Sequence, residues 1–462
     1  GFLKLQWEAD NMELMEFKKL LFLKAEEKGL KEYEIFYSKG ENFSISIYEG
    51  EIDKYSVSSS MGLGFRALVN GQMGYGYTEK LDEESIEFLL NSVIDNAGNM
   101  DSDEKENINS LSQKYRELDS YNKTLEKVVP AEKIGLALEL EKEAKKASDK
   151  VVTIRSCSLG TYTEEKGIFN SYGIEAIHKS NFLFAAVTPI VKEGDEIYDG
   201  TSYLIAKDIK ELKPTVLAKE AVKEALSRIG GEAVQSGKYK VVLRNDVAGE
   251  LLATFSGAFS GDNVHKGLSL LKGKENTIIC SEKVTLVDDP LMAEGLASSP
   301  FDGEGVATYK KAVIEKGRLM TFLHNLKTAE LFGVKTTGNA SRPSYASSIG
   351  VAPSNFYFEA GNETFEELLY ELKEGLLISD IAGTHAGANP ITGDFSLAAK
   401  GFYVSEGKVV KAVEQITISG NFFQLLKDIL AIGKDLKFIL PSGSSYYGSP
   451  SLLIKELSVA GK

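Results

Sequence analysis

Two neighbouring carboxylates are the first residues in this sequence whose type and spacing could support catalysis. They lie in the glycine-rich segment Ser299-Pro300-Phe301-Asp302-Gly303-Glu304-Gly305. A pair of carboxylates can act as general acid and general base. Acidic residues between glycines are also common in turns, where their side chains accept backbone N–H groups. No nucleophile is evident beside them, so the sequence favours a turn, and Asp302 and Glu304 are retained as candidates for binding a ligand.

Histidines are the next candidates, because imidazole serves both in acid–base catalysis and in metal binding. The chain has four of them, His178, His265, His324 and His385. No two stand at the spacing of ligands on one helix, and the sequence has no HExxH and no CxxC, so no set of zinc ligands is evident. Only His385 lies in a glycine-rich segment, 383–389, and this predicts an exposed loop in which it could contact a ligand.

Further polar residues lie near the ends of two predicted strands. Asn389, Asp394 and Ser396 precede the first strand, and Glu406-Gly407 turns the chain into the second. Polar groups at strand ends, with glycines that let a backbone approach, could line a site for an extended ligand. Gly338-Asn339 could present backbone N–H groups to an anion. We therefore predict contacts with a ligand at these residues as well.

Composition excludes several classes of protein. The 462 residues predict two or three domains, and 43% hydrophobic with 26% charged residues is typical of a soluble globular protein. The net charge of −14, without a dense basic segment, argues against direct binding to nucleic acid. Cys157 and Cys280 provide no disulfide framework, which favours a reducing cytoplasm. The apolar run 20–23 is too short for a membrane span.

Hydrophobic periodicity predicts an α+β fold. A helix at 13–28, strands at 35–37 and 43–48, and a hairpin turn at Asn70-Gly71 precede another helix near residue 82. The order helix, strands, helix then recurs, with helices at 130–148 and 214–229 after a polar linker at 101–124. We interpret this recurrence as an internal duplication within an N-terminal α/β domain.

The glycines at 230–231 and 237 mark the predicted domain boundary. They separate an N-terminal domain, 12–230, from a largely antiparallel β domain, 236–462, that has a few helices. Predicted helices of this second domain cover 246–259, 364–374 and 422–432. Residues 1–11 precede the first methionine, and we expect them to be either a vector-derived remnant or a native extension.

Five segments in this order resemble the TldD/PmbA family of peptidases, some of whose members are known as modulators of DNA gyrase. Within that family, the chain is most similar to the PmbA branch, which is also called TldE. The matching segments are 299–305, 337–340, 392–396, 416–421 and 450–451, with looser matches at 50–53 and 62–66.

Comparison with the family also locates a difference between this chain and the TldD branch. The TldD branch carries HExxxH on a helix of its C-terminal domain, together with a cysteine near the C-terminus, and these residues bind zinc. Here the two histidine positions fall on Ala253 and Ala258, the glutamate position falls on Thr254, and no cysteine follows Cys280. The resemblance therefore implies that this chain has no catalytic residues and no zinc of its own, and that the zinc belongs to a TldD-like partner.

The family further implies a cytoplasmic metalloprotease of two subunits that takes up unfolded peptides. In that case this chain would pair with a TldD-like subunit, form a homodimer when alone, and bind neither nucleic acid nor membrane. A link to gyrase would be indirect, through a peptide. Two alternatives stay open at this stage, a stand-alone hydrolase that uses Asp302, Glu304 or His385 without zinc, and a protein that binds gyrase directly.

Overall fold

The computed structural model describes residues 12–97, 99 and 105–462. The segment 1–11 and the start of the predicted linker lie outside this part, whereas residues 105–122 run without helix or strand. The helices of the N-terminal half are α1 (Leu14–Glu27), α2 (Glu83–Asn96), α3 (Lys123–Glu126), α4 (Pro130–Lys146) and α5 (Pro214–Ser227). Its strands are β1 (Tyr33–Tyr48), β2 (Glu51–Val69), β3 (Gln72–Thr78), β4 (Val151–Asn170), β5 (Glu175–Glu193), β6 (Glu196–Asp199) and β7 (Ser202–Ala206).

The described strands of the N-terminal half form one sheet in the order β3-β2-β1-β4-β5-β6, and β7 also pairs with β5. The hairpin between β2 and β3 turns at Asn70 and Gly71, whose φ angles of 53° and 80° are those expected for an Asn-Gly turn. Asp82 begins α2 by accepting the N–H of Ser85 at 2.7 Å. The order helix, strands, helix occurs twice, as the sequence predicts.

One face of this sheet is covered by helices. Phe17 of α1 and Leu89 of α2 pack with Phe65 of β2 in one hydrophobic cluster. Leu140 of α4 packs with Leu159 of β4 in a second cluster, to which α5 also contributes. The opposite face is turned towards the C-terminal half.

The C-terminal half contains two larger sheets and a small one. Its strands are β8 (Gly237–Leu243), β9 (Leu286–Asp288), β10 (Lys311–Glu315), β11 (Arg318–Leu319), β12 (Ala340–Ser341), β13 (Gly350–Val351), β14 (Asn355–Phe358), β15 (Gly375–Ala382), β16 (Asp394–Ser405), β17 (Lys408–Asn421), β18 (Ile429–Ile432), β19 (Lys437–Phe438), β20 (Tyr446–Ser449) and β21 (Leu452–Ala460). Its helices are α6 (Asn245–Phe255), α7 (Gly261–His265), α8 (Leu326–Phe332), α9 (Phe365–Leu372), α10 (Thr384–Gly387) and α11 (Phe422–Lys427).

Pairing in this half is largely antiparallel. The two larger sheets have the orders β17-β16-β15-β8-β21-β18 and β11-β10-β9-β14-β20-β19, and β12 pairs with β13. The pairs β8–β15 and β14–β20 are parallel. Helix α6 contributes to the large hydrophobic core, where Phe255 stacks on Phe422 at 4.8 Å between ring centroids. The protein is thus a mixed α+β fold, as predicted.

The last predicted helix, 422–432, is wrong in its second part. Helix α11 ends at Lys427, and residues 429–432 form β18, which pairs with β21. Apolar residues in a short run fit either a helix or a buried strand, and the partner strand decides between them. The predicted helix 246–259 is likewise α6 followed by a 3-10 turn at Ser256–Phe259. No helix in the described part of the chain combines the length and the apolar sequence needed to cross a bilayer.

Candidate functional site

The candidate site is a cavity of about 450 Å³ between the N-terminal sheet and loops of the C-terminal half. One wall is the helix-free face of the sheet, with Phe36, Lys166 and His178. Asp302 and Arg342 belong to the opposite wall. A concave space of this size with a few polar groups is typical of a ligand site.

Strand register explains why the N-terminal residues meet at this cavity. Lys166 on β4 lies directly opposite Ser38 of β1 and His178 of β5. Residues opposite each other in an antiparallel pair point to the same face of the sheet. Lys166 and His178 are therefore neighbours on the face that the helices leave free.

His178 is neutral at this wall. It is 7% exposed, and burial, followed by repulsion from Lys166, lowers its pKa to about 4. The backbone of Ser298, which also lines the cavity, acts in the opposite direction and raises the pKa of His178. The neutral imidazole therefore has one nitrogen that donates and one that can accept a hydrogen bond.

Asp302 lies at the cavity, and both oxygens of its carboxylate already accept backbone N–H groups. Oδ1 accepts the N–H groups of Glu304 and Val306 at 2.9 and 3.0 Å, and Oδ2 accepts the N–H of Ala340 at 3.0 Å. Gly305 completes the turn with a φ of 74°. This is the turn geometry that the glycine-rich segment favours, and it fixes the segment to β12.

Asn339 is also held by neighbouring protein groups. Its Oδ1 accepts from Lys311 Nζ at 3.2 Å and from Thr337 Oγ1 at 2.7 Å. Its Nδ2 donates to Asp288 Oδ2 at 2.9 Å and to the carbonyl of Ala352 at 3.1 Å. Because a side-chain amide has two donor and two acceptor positions, none is left over. Asn339 thus shapes the cavity wall.

A buried ion cluster beside the cavity was missed by the sequence analysis. Glu34 on β1 accepts two hydrogen bonds from Arg66 on β2, at 3.0 and 3.2 Å, and one from Arg342 at 2.5 Å. Burial alone would raise the pKa of Glu34, but the charges of the two arginines outweigh it and lower the pKa. Arg342 also lies over the ring of Phe36, 4.7 Å from its centroid. One carboxylate thus joins arginines from both halves of the chain.

Glu304 adjoins this cluster and is the carboxyl group best suited to stay protonated. It is buried, and its Oε2 accepts a single N–H, from Leu326 at 2.9 Å. Burial and then the charge of Asp302 raise its pKa above the ordinary 4.5, against an opposing effect of Arg66. With Glu304 neutral, the charges of Asp302 and Glu34 balance those of the two arginines.

We expect Glu304→Gln to flatten the pH dependence of stability. Because the pKa of Glu304 is higher in the folded chain, the unfolded chain releases the proton first, and the free energy of unfolding falls as pH rises from about 5 towards the raised pKa. Glutamine retains the acceptor for Leu326 but does not ionise. Urea unfolding between about pH 5 and 9 measures the difference. Exposed Glu371→Gln is the control, and a Glu304→Gln profile parallel to the wild type would contradict this assignment.

The second group of predicted residues lies on the surface of the C-terminal half, apart from the residues that line the cavity. His385 is exposed on the short helix α10. Asn389 accepts the N–H groups of Ile391 and Thr392 at 3.0 and 3.1 Å, so its side chain holds a turn. A hollow beside this loop is lined by Asn389 but not by His385.

Asp394 and Ser396 line the same hollow from the start of β16. Asp394 accepts from Asn421 Nδ2 at 3.0 Å, and Ser396 accepts from Ser419 Oγ at 3.1 Å. Hydrogen bonds to Asn421 and then to Thr392 lower the pKa of Asp394, so it is ionised. These side chains are exposed and can still accept further hydrogen bonds. The structure therefore brings Asn389, Asp394 and Ser396 together.

Helix α6 and the turn after it carry the positions at which the resemblance places the zinc ligands. Ala258 is 1% exposed within the hydrophobic core, and Ala253 packs against that core. The Oγ1 of Thr254 donates to the carbonyl of Glu250 at 2.8 Å. Methyl and hydroxyl groups are not zinc ligands, so these positions do not fit the metal. Across the described residues, no group of three or more His, Cys, Asp or Glu is placed to hold a metal ion.

Comparison with known proteins covers nearly all of the chain. Three family models match, the PmbA/TldA metallopeptidase domain 1 at residues 33–97, the central domain at 123–229 and the C-terminal domain at 236–461. The metalloprotease PmbA of Escherichia coli O157:H7 is 26% identical over 93% of this chain and 92% of its own length.

Solved structures agree with this assignment. A Thermotoga maritima protein described as a candidate modulator of DNA gyrase is 34% identical, with a TM-score of 0.88 over 97% of this chain and 100% of its own. TldE of Thermococcus kodakarensis shares the fold, with 21% identity and a TM-score of 0.87 over 96% of this chain and 99% of its own. Matches to all three family domains, in order and with the predicted α+β architecture, lead to one conclusion: the chain belongs to the PmbA/TldD metallopeptidase family.

Proposed function

We propose that this chain is the non-catalytic, PmbA/TldE-like subunit of a cytoplasmic peptidase that processes unfolded peptides together with a zinc-bearing, TldD-like subunit. The observation that carries the proposal is the composition of α6 and its following turn. Ala253, Thr254 and Ala258 stand where a zinc peptidase of this family needs two imidazoles and a carboxylate. Ala258 is moreover closely packed in the core, which leaves no room for a metal with its ligands.

An open strand edge supports the proposed partner. β3 covers β2 only from Leu63 to Val69, so 51–62 has no paired strand on its outer edge within the described chain. This part of β2 also exposes Ile52, Tyr55 and Val57, at 46%, 50% and 66%. An exposed edge with apolar side chains favours association with another chain. We assign this edge to the contact with the TldD-like subunit, or with a second copy when the chain is alone.

The two groups of site residues then have non-catalytic roles. Asp302, Glu304 and Asn339 shape the wall of the cavity, and Asn389, Asp394, Ser396 and His385 are candidates for contacting peptide on the exposed loop. The stand-alone hydrolase is disfavoured, because the Asp302 carboxylate already accepts three N–H groups. A link to gyrase, the property attributed to the Thermotoga maritima relative, would be indirect, through a processed peptide.

Co-expression with a TldD-like chain tests this function. Degradation of casein-derived peptides should be absent with this chain alone and should appear with the complex. The same complex in which the glutamate of the partner's HExxxH is changed to glutamine should lose activity, whereas His385→Ala in this chain should leave turnover detectable. Cleavage by the isolated chain that His385→Ala or Glu304→Gln abolishes would instead establish the stand-alone hydrolase.

A further inference from the structure

Lys166 is a cation without a counter-ion at the cavity. It is partly buried on the sheet wall, and no hydrogen bond or ion pair joins its side chain to another residue of the described chain. The other ionisable groups at the cavity are accounted for in different ways. Asp302 is engaged by backbone N–H groups, Arg342 is paired with Glu34, and Glu164 is exposed. An ammonium group held in a partly dry space is best satisfied by an anion that enters with a ligand.

Two buried nitrogens at the same cavity also lack partners. They are Nε2 of His178 and Nε of Arg342, in residues that are 7% and 8% exposed. The Arg342 Nε carries a hydrogen and donates, whereas Nε2 of the neutral His178 ring accepts when the ring proton is on Nδ1. A peptide group offers one N–H and one C=O, and so matches this pair of unused positions.

The walls of the cavity also suit a peptide in extended conformation. Phe182 gives the cavity an apolar wall, and its ring is held in place by stacking on Tyr162 at 4.9 Å between centroids. Glu164 lies two residues from Lys166 on the same strand, about 7 Å away, and therefore on the same face. Its exposed carboxylate marks the outer side of the cavity, and the partly buried Lys166 marks the inner side.

We propose that this cavity binds the free carboxyl terminus of a peptide, with Lys166 as the counter-ion of the carboxylate. The preceding peptide group then lies between His178 and Arg342, and the chain leaves past Glu164. This inference rests on the proposed function, since it names which end of a peptide the chain holds. The subunit then distinguishes peptides with a free carboxyl terminus from peptides without one.

The test compares the tripeptide N-acetyl-Ala-Ala-Phe, with a free carboxylate, with its C-terminal amide. Binding to the full chain is measured by isothermal titration calorimetry, with acetate as a second probe. We expect the free acid to bind at least about tenfold more tightly than the amide, since a charge-assisted hydrogen bond is lost in the amide. Lys166→Gln should abolish that preference, and Lys166→Arg should retain it. Lys39→Gln, on the opposite face of the sheet, is the matched control.

The other binding results overturn the inference. Equal binding of acid and amide by the wild type, or no binding of either, removes the carboxylate site. Acetate that binds as tightly as the peptide makes the cavity a site for small anions. Degradation by the complex combined with no end preference would refute this inference alone, whereas an end preference combined with an inactive complex would refute the proposed function alone.

Discussion

Replacing Glu34 by glutamine should lower the free energy of unfolding by about 3–5 kcal/mol. Among the described residues, Glu34 is the one carboxylate that hydrogen-bonds both Arg66 and Arg342, and both arginine side chains are almost completely buried. Glutamine retains the size of the side chain but removes its charge, so the two cations would lie together in a dry environment. The measurement is urea unfolding at neutral pH.

The control for this substitution is an ion pair of similar length on the surface. Lys238 Nζ lies 2.8 Å from Glu456, and both side chains are largely exposed. Surface pairs contribute little, because water and salt screen them, so Glu456→Gln should leave the unfolding midpoint almost unchanged. Equal effects of Glu34→Gln and Glu456→Gln would mean that the buried cluster does not hold the two halves together.

Gly64→Ala should weaken the contact between the two halves and cost about 1–3 kcal/mol, because it overpacks a close backbone approach. A Cβ atom at Gly64 would collide with the carbonyl oxygen of Tyr345, a backbone atom that cannot move aside by changing rotamer. The neighbouring Gly62 accommodates the ring of the same tyrosine. The glycines of β2 thus allow the 343–347 loop of the C-terminal half to pack closely against the strand. Thermal unfolding measures the loss.

Gly135→Ala provides the matched control for Gly64→Ala. Gly135 lies within α4, and a Cβ atom there would meet nothing within 4 Å. Alanine is favoured over glycine in a helix, so this change should leave stability equal or slightly higher. If Gly64→Ala were tolerated as well as Gly135→Ala, the close packing of Tyr345 against β2 would not require glycine at position 64.

The sequence predicts where elements lie better than it predicts how far they extend. The Asn70-Gly71 hairpin follows from local chemistry, because both residues tolerate positive φ. The predicted strands at 35–37 and 43–48 are in fact one strand, β1. The polar residues 38–42 between them are paired on both sides, with β2 and β4, although they are partly or largely exposed. Hydrophobic periodicity reports burial, and here backbone pairing continues where burial stops.

The candidate site was predictable only in part, because local sequence patterns reveal its turns but not its contacts between residues far apart in the chain. The turn at Asp302 and Glu304 is encoded locally by Gly303 and Gly305, so the sequence found it. The contact of Glu34 with Arg342 joins residues 308 positions apart, and no local pattern marks it. Lys166 and His178 become neighbours only through the register of β4 on β5. Arg66 ends the matched segment 62–66, so the resemblance marked this residue, but no sequence pattern predicted that its side chain is buried.

Zinc content tests the central claim most directly. After purification and dialysis against metal-free buffer, this chain should retain far less than one equivalent of zinc. In its complex with a TldD-like chain, the amount of zinc should follow the amount of the TldD-like chain and not the amount of this chain. Elemental analysis of both samples, with chain ratios determined by amino-acid analysis, provides the measurement. A full equivalent of zinc on the isolated chain, released only on unfolding, would contradict the account.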